Sequence, residues 1–435
     1  MNDRSGSPDI STAKLRDRLF HPLAGMCRVG AAVSGGPDST ALVILLDLWK
    51  RENPAAPAIH VLTVDHGLRA EASREADTVV DLAIRLGHSA EKLVWRHDGP
   101  PPASGIQAEA RAARYRLLVD AAHRSQLDAV LLAHTRDDQA ETFLMHLARG
   151  SGVAGLAGMP AERTIDGVRF LRPLLGIAKA DLLAVLAEAR TPYVTDPSNL
   201  SDRYTRVRIR KALPAFAKLG LTADRLADTA RRMARAEAAL TSATDDLFQQ
   251  AARDHGGVWS IATAALATAP EEIGLRLIVR LIRTIRPSDY PPRAEALENW
   301  SNAFRSGIAP RRSTMAGVVL HLRQTRLWLY AEAGRTGFPA IAIDADGEHV
   351  WDNRFVISIA GSGGRHLLIG PRGPGGRNGD MPAAAAAGLP TVRSADGSDL
   401  PAELSVVIRP ICAQMLHEGE DCRPVAWQGS TDNLS

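Results

Sequence analysis

The sequence predicts an α/β fold: a doubly wound parallel sheet domain, then a helical domain and a small C-terminal α+β domain. Over the first 200 residues, short apolar runs alternate with longer amphipathic stretches, the pattern of a parallel strand–helix series. From 209 to about 286 the pattern becomes helical and alanine-rich, and beyond it glycine- and proline-rich stretches appear. We expect domains at 1–215, 216–335 and 336–435.

Each element follows from its local pattern. Short apolar runs predict strands, and longer amphipathic stretches predict helices. The expected strands are Val29–Val33, Ala58–Asp65, Lys92–Trp95 and Asp128–Ala133. The expected helices are Ser39–Lys50, Glu71–Leu86, Gln107–His123, Asp137–Ala148, Asp181–Arg190 and Glu295–Phe304. Alternation over Val318–Tyr330 predicts a hairpin, and the Gly, Pro and Ala content of Ile369–Leu389 favours a loop or linker. Ligands of such sheets bind beyond the carboxyl ends of the strands, here after Val33, Val64 and Ala133.

Composition excludes several classes of protein. The 435 residues are 45% hydrophobic and 23% charged, as in ordinary globular chains. We find no apolar run of the roughly 18 residues that a membrane span needs, and no secretory signal pattern. The three cysteines are scattered and form no CxxC pair, which argues against a cysteine-bound metal. We therefore expect a cytoplasmic protein without a membrane partner. Oligomeric state does not follow from the sequence.

Positive charge is concentrated in one segment. The net charge is only +3, but ten basic residues and two acidic ones lie between Arg203 and Arg235. Such a run is either a solvated helix face or a surface that follows nucleic-acid phosphates.

The most informative motif lies between the first strand and its helix. It reads Ser34-Gly35-Gly36-Pro37-Asp38-Ser39. Paired glycines let the backbone approach a ligand, and the helix N-terminus attracts anions. Asp38 would repel a phosphate unless a cation lies between them, which suggests Mg²⁺ bound together with phosphates. A Walker A loop would need a lysine that is absent here.

A second glycine motif, Gly150-Ser151-Gly152-Val153-Ala154-Gly155, matches the GxGxxG dinucleotide fingerprint. That fingerprint requires a preceding strand, whereas a helix is predicted here. We therefore expect a helix stop followed by a loop, and no NAD site.

The phosphate motif resembles the PP-loop of ATP pyrophosphatases, which cleave ATP between the α and β phosphates. Further segments narrow the resemblance to tRNA(Ile)-lysidine synthetases over about residues 27–215. These segments are Asp65-His66-Gly67-Leu68-Arg69, Glu109–Tyr115, Ala133–Thr142, Arg149–Gly152, Arg172-Pro173-Leu174 and Asp196-Pro197-Ser198-Asn199.

This resemblance implies a concrete reaction. With ATP and Mg²⁺, the family activates C2 of the wobble cytidine in the CAU anticodon of tRNA(Ile) by transferring AMP to the cytidine O2 and releasing pyrophosphate. Free L-lysine then attacks through its ε-amino group and expels AMP, leaving lysidine.

The resemblance also implies site residues. The phosphate loop, Ser34 to Ser39, would hold ATP, and Asp38 would hold the metal. The expected catalytic residues are Asp38, Arg114, His134, Asp137 and Asp138, and the expected substrate-binding residues are Glu141, Arg206, Arg208 and Arg210. Asp137, Asp138 or Glu141 would deprotonate lysine, and the choice among them stays open.

Structural alternatives exist for several of these residues. Asp137 and Asp138 also suit a helix N-terminus, and His134 suits a satisfied buried histidine. Arg111 suits an ion pair or the surface better than catalysis. Two further functions are kept open: a non-catalytic tRNA- or nucleotide-binding protein, and another PP-loop ATP-dependent amide ligase.

The chain departs from the family pattern at two places. Thr135-Arg136 follows His134 where relatives commonly carry a second histidine, and Val207 occupies a position where asparagine is usual. Any polar contact made by that asparagine is therefore absent or replaced.

Overall fold

A computed structural model describes residues 12–67, 71–96, 106–194, 205–287, 292–374, 379–400 and 403–411. The chain divides into two compact units, Met1–Ala238 and Ala239–Ser435. The finer division predicted at 215 and 335 stays a prediction.

The first unit contains a six-stranded sheet and its covering helices. Its elements are α1 (Ala13–Phe20), β1 (Arg28–Ala32), α2 (Pro37–Glu52), β2 (Ala58–Asp65), α3 (Ala72–Arg85), β3 (Ser89–Val94), α4 (Ile106–Arg124), β4 (Ala129–Leu132), α5 (Arg136–Leu147), α6 (Val153–Leu156), β5 (Glu162–Ile165), β6 (Val168–Leu171), α7 (Lys179–Glu188), α8 (Thr205–Lys218) and the start of α9 (Ala223–Ala251). The strand order is β3-β2-β1-β4-β6-β5, and all pairs are parallel except the edge pair β5–β6.

Apolar side chains of the central strand face both sides of this sheet. Val29 and Ala31 belong to one core together with Leu42 of α2, whereas Ala32 belongs to a second core together with Leu118 of α4. A strand that is apolar on both faces is typical of a parallel sheet covered by helices on each side. The predicted doubly wound PP-loop domain is therefore confirmed.

Most element bounds in this unit agree with the sequence prediction within three residues, and β2 has the predicted bounds. The hairpin of β5 and β6 was not predicted. Glu162 and Arg163 at the start of β5 break any apolar run, and each strand has only four residues. Pairing of β6 with β4 fixes this hairpin, and that pairing leaves no local sequence signal.

The second unit begins with a five-stranded antiparallel sheet of order β7-β8-β11-β10-β9. Its elements are β7 (Ala252–Asp254), β8 (Trp259–Ala262), α10 (Thr263–Thr268), α11 (Glu271–Ile285), α12 (Ala294–Arg305), β9 (Arg312–Met315), β10 (Val318–Arg323) and β11 (Arg326–Ala331). The predicted hairpin over Val318–Tyr330 is confirmed, with Leu320 opposite Leu329. The expectation of a helical region from 209 to 286 is wrong at β7 and β8, which are short strands held by pairing of β8 with β11 and of β7 with β8.

The remaining residues that the structure describes form two three-stranded sheets and one short helix. The elements are β12 (Ile341–Ile343), β13 (Gly347–Trp351), β14 (Phe355–Ala360), β15 (Leu367–Pro371), α13 (Ala383–Ala387), β16 (Pro390–Ser394) and β17 (Ser405–Pro410). The sheet orders are β12-β15-β16 and β13-β14-β17. The expectation of a loop or linker over Ile369–Leu389 is wrong in part, because α13 lies within it. Alanine has the highest helix propensity, and Ala385 and Ala386 are buried in a core.

Among the described helices, we find none that is both long and apolar enough to cross a membrane.

Candidate active site at the carboxyl ends of β1 and β4

The phosphate loop closes tightly around Gly35. Its φ of +79° lies in the left-handed region, which favours glycine. A Cβ at this position would lie 3.4 Å from side-chain atoms of Val79 and Val194. The Gly35 carbonyl accepts hydrogen bonds from the Val194 N–H at 2.9 Å and from the Thr40 hydroxyl at 3.2 Å. The first glycine of the pair is therefore required by the backbone itself.

The start of α2 is arranged as an anion site. Gly36 is its N-cap and Pro37 follows, and no side chain caps the helix. The Ser39 hydroxyl accepts from the Ser34 N–H at 3.2 Å and donates to the Gly36 carbonyl at 3.0 Å. The serines thus fix the loop, while the N–H groups of the first turn lack a side-chain acceptor and can meet phosphate oxygens.

Asp38 is a partly buried carboxylate with one satisfied oxygen. Its Oδ2 lies 3.2 Å from Lys179 Nζ, and its Oδ1 is buried without a hydrogen-bond partner. Burial raises the pKa of Asp38, and the negative charges of Asp138 and Asp137 raise it further, against the opposing effect of Lys179. Such an oxygen is a ready ligand for a cation.

The helix that follows β4 begins with a capping box. The Thr135 hydroxyl accepts from the Asp138 N–H at 3.3 Å, and Asp138 Oδ2 accepts from the Thr135 N–H at 2.8 Å. Asp137 Oδ2 accepts from the Lys179 N–H at 2.8 Å, which joins the starts of α5 and α7. Asp138 therefore caps the N-terminus of α5, as the structural alternative for this residue proposed.

Two arginines of α8 join Asp138 and Glu141 of α5. Arg206 donates to Asp138 at 2.9 Å and to Glu141 at 2.7 Å, and Arg210 donates to Glu141 at 2.6 Å. The Glu141 side chain is only 2% exposed, so both of its oxygens are used inside the protein. Burial acts to raise the pKa of Asp138, but Arg206 and the Thr135 N–H outweigh it and hold that pKa below its usual value.

His134 is a neutral imidazole beside these acids. Burial lowers the pKa of His134 to about 3, with Arg172 and Arg114 adding to the effect against Asp138. Its Nδ1 is buried and has no hydrogen-bond partner. His134 therefore presents an uncharged nitrogen to the site at neutral pH.

Arg114 is solvent-accessible, yet the surrounding protein lowers the pKa of its guanidinium. Among the described residues, no hydrogen bond or ion pair engages this cation, so its charge is available to a ligand.

The structure distributes the predicted basic residues unequally. Arg206 and Arg210 are engaged by carboxylates, whereas Arg208 is exposed and, among the described residues, donates only to the Thr205 hydroxyl at 3.1 Å. Val207 is 7% exposed, so the position where asparagine is usual faces the interior here.

Other predicted segments are placed as follows. Asp65 Oδ1 accepts from the Gly67 N–H at 3.0 Å, which closes the turn after β2. Leu68 and Arg69, the Asp196–Asn199 segment and Arg203 lie outside the described residues. The glycine motif after α5 begins at Gly150 with φ +70°, which confirms the helix stop, whereas the expected loop is wrong in part because the short helix α6 begins at Val153.

Two residues of the site were missed as functional candidates. Lys179 lies at the first position of α7, and its only sequence signal is a lone lysine after an apolar segment. Arg172 was noted within a motif without a role, although it is 5% exposed and its Nε has no partner.

Comparisons with known proteins agree with this geometry. Residues 10–215 match the family model described as a PP-loop domain. The tRNA(Ile)-lysidine synthase of Rhodopseudomonas palustris is 42% identical over 75% of this chain and 97% of its own length. That of Methylobacterium nodulans is 44% identical over 74% of this chain and 95% of its own. The chain belongs to the tRNA(Ile)-lysidine synthase family. The resemblance inferred from the motifs is thereby confirmed.

A solved structure of a U34-tRNA thiolase from Methanococcus maripaludis is also similar, at 17% identity and a TM-score of 0.44, covering 51% of this chain and 78% of that one. In this chain the phosphate loop, the acids of α5 and the arginines of α8 lie close together, since Asp38 lies near Asp138, and Arg206 and Arg210 bind the acids of α5.

Proposed function

We propose that the chain ligates lysine to C2 of the wobble cytidine in the CAU anticodon of tRNA(Ile), with ATP as the activating substrate. The observation that carries this proposal is the position of Lys179. Its side chain pairs with Asp38 of the phosphate loop, and its backbone N–H donates to Asp137 of α5. Family membership supplies the reaction class, and this arrangement supplies groups for its two steps.

The first step places ATP on the phosphate loop. The free N–H groups at the start of α2 and the Lys179 ammonium are suited to the phosphates. Arg114, with no partner of its own, is suited to charge that develops on the α-phosphate as the cytidine oxygen attacks. The neutral His134 is suited to hydrogen bonding and not to supplying charge.

Asp38 fits a Mg²⁺ ion. Its buried Oδ1 lacks a partner, and Mg²⁺ is commonly held by one or two carboxylates together with phosphate oxygens. Asp38 would hold the ion, which neutralises phosphate charge when bound. Among the described residues, no cluster of three or more acids, histidines and cysteines forms an all-protein metal site.

The second step requires a carboxylate that orients the lysine ammonium and accepts its proton. Both oxygens of Glu141 and both of Asp138 are engaged by arginine or by Thr135. Asp137 has one oxygen engaged, by the Lys179 N–H, and its Oδ1 has no partner among the described residues. We therefore assign the proton acceptor to Asp137, with Glu141 acting through the arginines to position α8.

The test is incorporation of radiolabelled lysine into a CAU-anticodon tRNA(Ile) transcript with ATP and Mg²⁺. Wild type should incorporate lysine only when ATP is present, and Asp38→Asn should abolish incorporation. Asp120→Asn, on the exposed side of α4, is the matched control and should behave as wild type. Pyrophosphate exchange without lysine incorporation would keep the ATP chemistry and discard the acceptor. Silence in both assays would favour a binding protein.

A further inference from the structure

Three arginines lie near one another without a carboxylate partner among the described residues. They are Arg111, Arg163 and Arg172, and we call them the arginine cluster; Arg172 also lies near enough to His134 to affect its charge. Arg111 lies 5.3 Å above the Tyr115 ring, and that ring packs edge-on against Phe170 at 5.2 Å. Tyr115 therefore contacts both Arg111 of the arginine cluster and Phe170 of β6.

Arg172 is the buried member of the arginine cluster. It is 5% exposed, and its Nη1 donates to the Pro160 carbonyl at 2.8 Å while its Nε has no partner. Burial lowers the pKa of Arg172, and the positive charges of Arg111 and Arg163 lower it further, with Tyr115 opposing. A buried guanidinium with an unused donor and like charges nearby is costly unless an anion approaches.

The surrounding arginines show that this lack of pairing is local. Arg206 and Arg210 share Glu141, and Arg169 of β6 is paired with Glu162 at 2.6 Å. The fold thus pairs Arg169, Arg206 and Arg210 with carboxylates and leaves the arginine cluster positive. Structural ion pairing therefore does not explain these three side chains.

The arginine cluster lies on a different part of the sheet edge from the phosphate loop. Arg172 directly follows β6, and Arg163 lies on β5, where it pairs with Phe170 of β6. In the strand order, β4 separates β6 from β1, which leads into the phosphate loop. Two strand spacings amount to about 10 Å, so one triphosphate chain held at the start of α2 does not account for the whole cluster.

We propose that the arginine cluster binds the phosphodiester backbone of the substrate RNA next to the target nucleotide. The guanidinium groups come from α4, β5 and the end of β6, which makes an extended positive surface and not a cradle for one phosphate. Successive RNA phosphates fit such a surface, and unpaired arginines supply the charge that backbone binding uses. This inference rests on the proposed function, because it takes RNA to be the substrate.

The test uses the full chain and the unmodified CAU-anticodon tRNA(Ile) transcript. Arg163→Gln removes one charge of the cluster from an edge strand without emptying a buried position, which makes it safer for folding than a change at Arg172. The matched control is Arg169→Gln, since that arginine is already neutralised on the neighbouring strand. Affinity is measured over a series of salt concentrations, and melting curves verify folding.

We expect Arg163→Gln to weaken RNA binding by about 5- to 10-fold at low salt. The slope of log affinity against log salt should fall by about 0.7 to 0.9, the value for one lost phosphate contact. Arg169→Gln should leave both quantities near wild type. Methylphosphonates beside the wobble position remove backbone charge from an anticodon stem-loop. Wild type should bind this modified stem-loop more weakly than the unmodified one, whereas Arg163→Gln should bind the two with similar affinity.

Two results would overturn the inference. One is an unchanged salt slope in folded Arg163→Gln. The other is a raised KM for ATP with unchanged RNA affinity, which would assign the arginine cluster to ATP or pyrophosphate. RNA binding is measured without lysine or ATP, so failure of lysine incorporation would count against the proposed function and leave this test intact.

Discussion

Lys179 Nζ lies 3.2 Å from Asp38 Oδ2, across 141 residues of sequence. The same residue donates its backbone N–H to Asp137, so α7 connects the acid of the phosphate loop with the first acid of α5. Because the Lys179 side chain is more than a third exposed, its ion pair with Asp38 contributes little to stability. Its position beside the phosphate loop points to function.

Replacing Lys179 should impair ATP use more than folding. In Lys179→Met, Asp38 loses its cation partner, and the phosphate loop loses a positive charge. We expect kcat/KM for ATP in pyrophosphate exchange to fall about 100-fold, with little change in the melting temperature. Lys218→Met, at the exposed end of α8, should retain wild-type kinetics. Normal exchange by Lys179→Met would assign the lysine to structure alone.

Local patterns predicted much of the first unit, and long-range contacts account for what they missed. β2 had its predicted bounds because its apolar residues are concentrated in one short segment between turn residues, which is a strong local signal. The phosphate loop was predictable because its glycines and hydroxyls are consecutive. Lys179 was not, since nothing near it in sequence indicates Asp38.

Long-range contacts also decide which arginines are paired with carboxylates and which are not, and the local sequence does not show this. A run of positive charge from 203 to 235 suggested one basic surface, yet Arg206 and Arg210 are engaged by Glu141, about 65 residues earlier. Conversely, Arg172 and Arg163 are ordinary residues of a short hairpin in sequence. Their lack of carboxylate partners is evident only from the three-dimensional structure, in which the end of β6 lies beside α4.

Glu141 should contribute far more to stability than an exposed acid with the same kind of partner. In Glu141→Gln, Arg206 and Arg210 lose a carboxylate that is only 2% exposed. We expect the free energy of unfolding to fall by about 2–3 kcal/mol, below the cost for a fully buried pair because both arginines are partly hydrated.

The contrast is Glu162→Gln, which removes the exposed partner of Arg169 and should cost less than about 1 kcal/mol. Urea unfolding followed by tryptophan fluorescence measures both. Equal losses would show that the Glu141 pairs are as weakly coupled as a surface pair.

Substitution of Gly35 should lower both the stability of the protein and its affinity for ATP, for two separable reasons. The positive φ of Gly35 strains any other residue, and relief of that strain would shift the phosphate loop because an added Cβ would already contact Val79 and Val194 at 3.4 Å. Gly35→Ala should therefore cost about 1–2 kcal/mol and also raise the Kd for ATP at least 10-fold. Gly25 has a φ of +82° and open space around it. Gly25→Ala should therefore lower stability without lowering ATP affinity. ATP affinity that falls equally in both variants would contradict this account of the loop.

His134 should make the fold sensitive to acid in a defined pH window. Its folded pKa is about 3, against 6.5 for an unperturbed histidine, so the unfolded chain binds a proton that the folded protein refuses between these values. The free energy of unfolding should therefore decrease as pH falls from 6.5 toward 3, by up to about 1.4 kcal/mol per pH unit from this group. His134→Gln is neutral throughout and should flatten that dependence.

His366→Gln is the control of opposite sign. A hydrogen bond with Asp344 raises the pKa of this exposed histidine, so its small stabilisation is present at low pH and is lost as pH rises. Removing it should weaken the protein at acid pH, whereas removing His134 should protect it. Urea midpoints at pH 4.5, 5.5 and 7 distinguish the two. If His134→Gln keeps the wild-type pH dependence, the imidazole takes up its proton in the folded protein, and the neutral role proposed for it in the site is wrong.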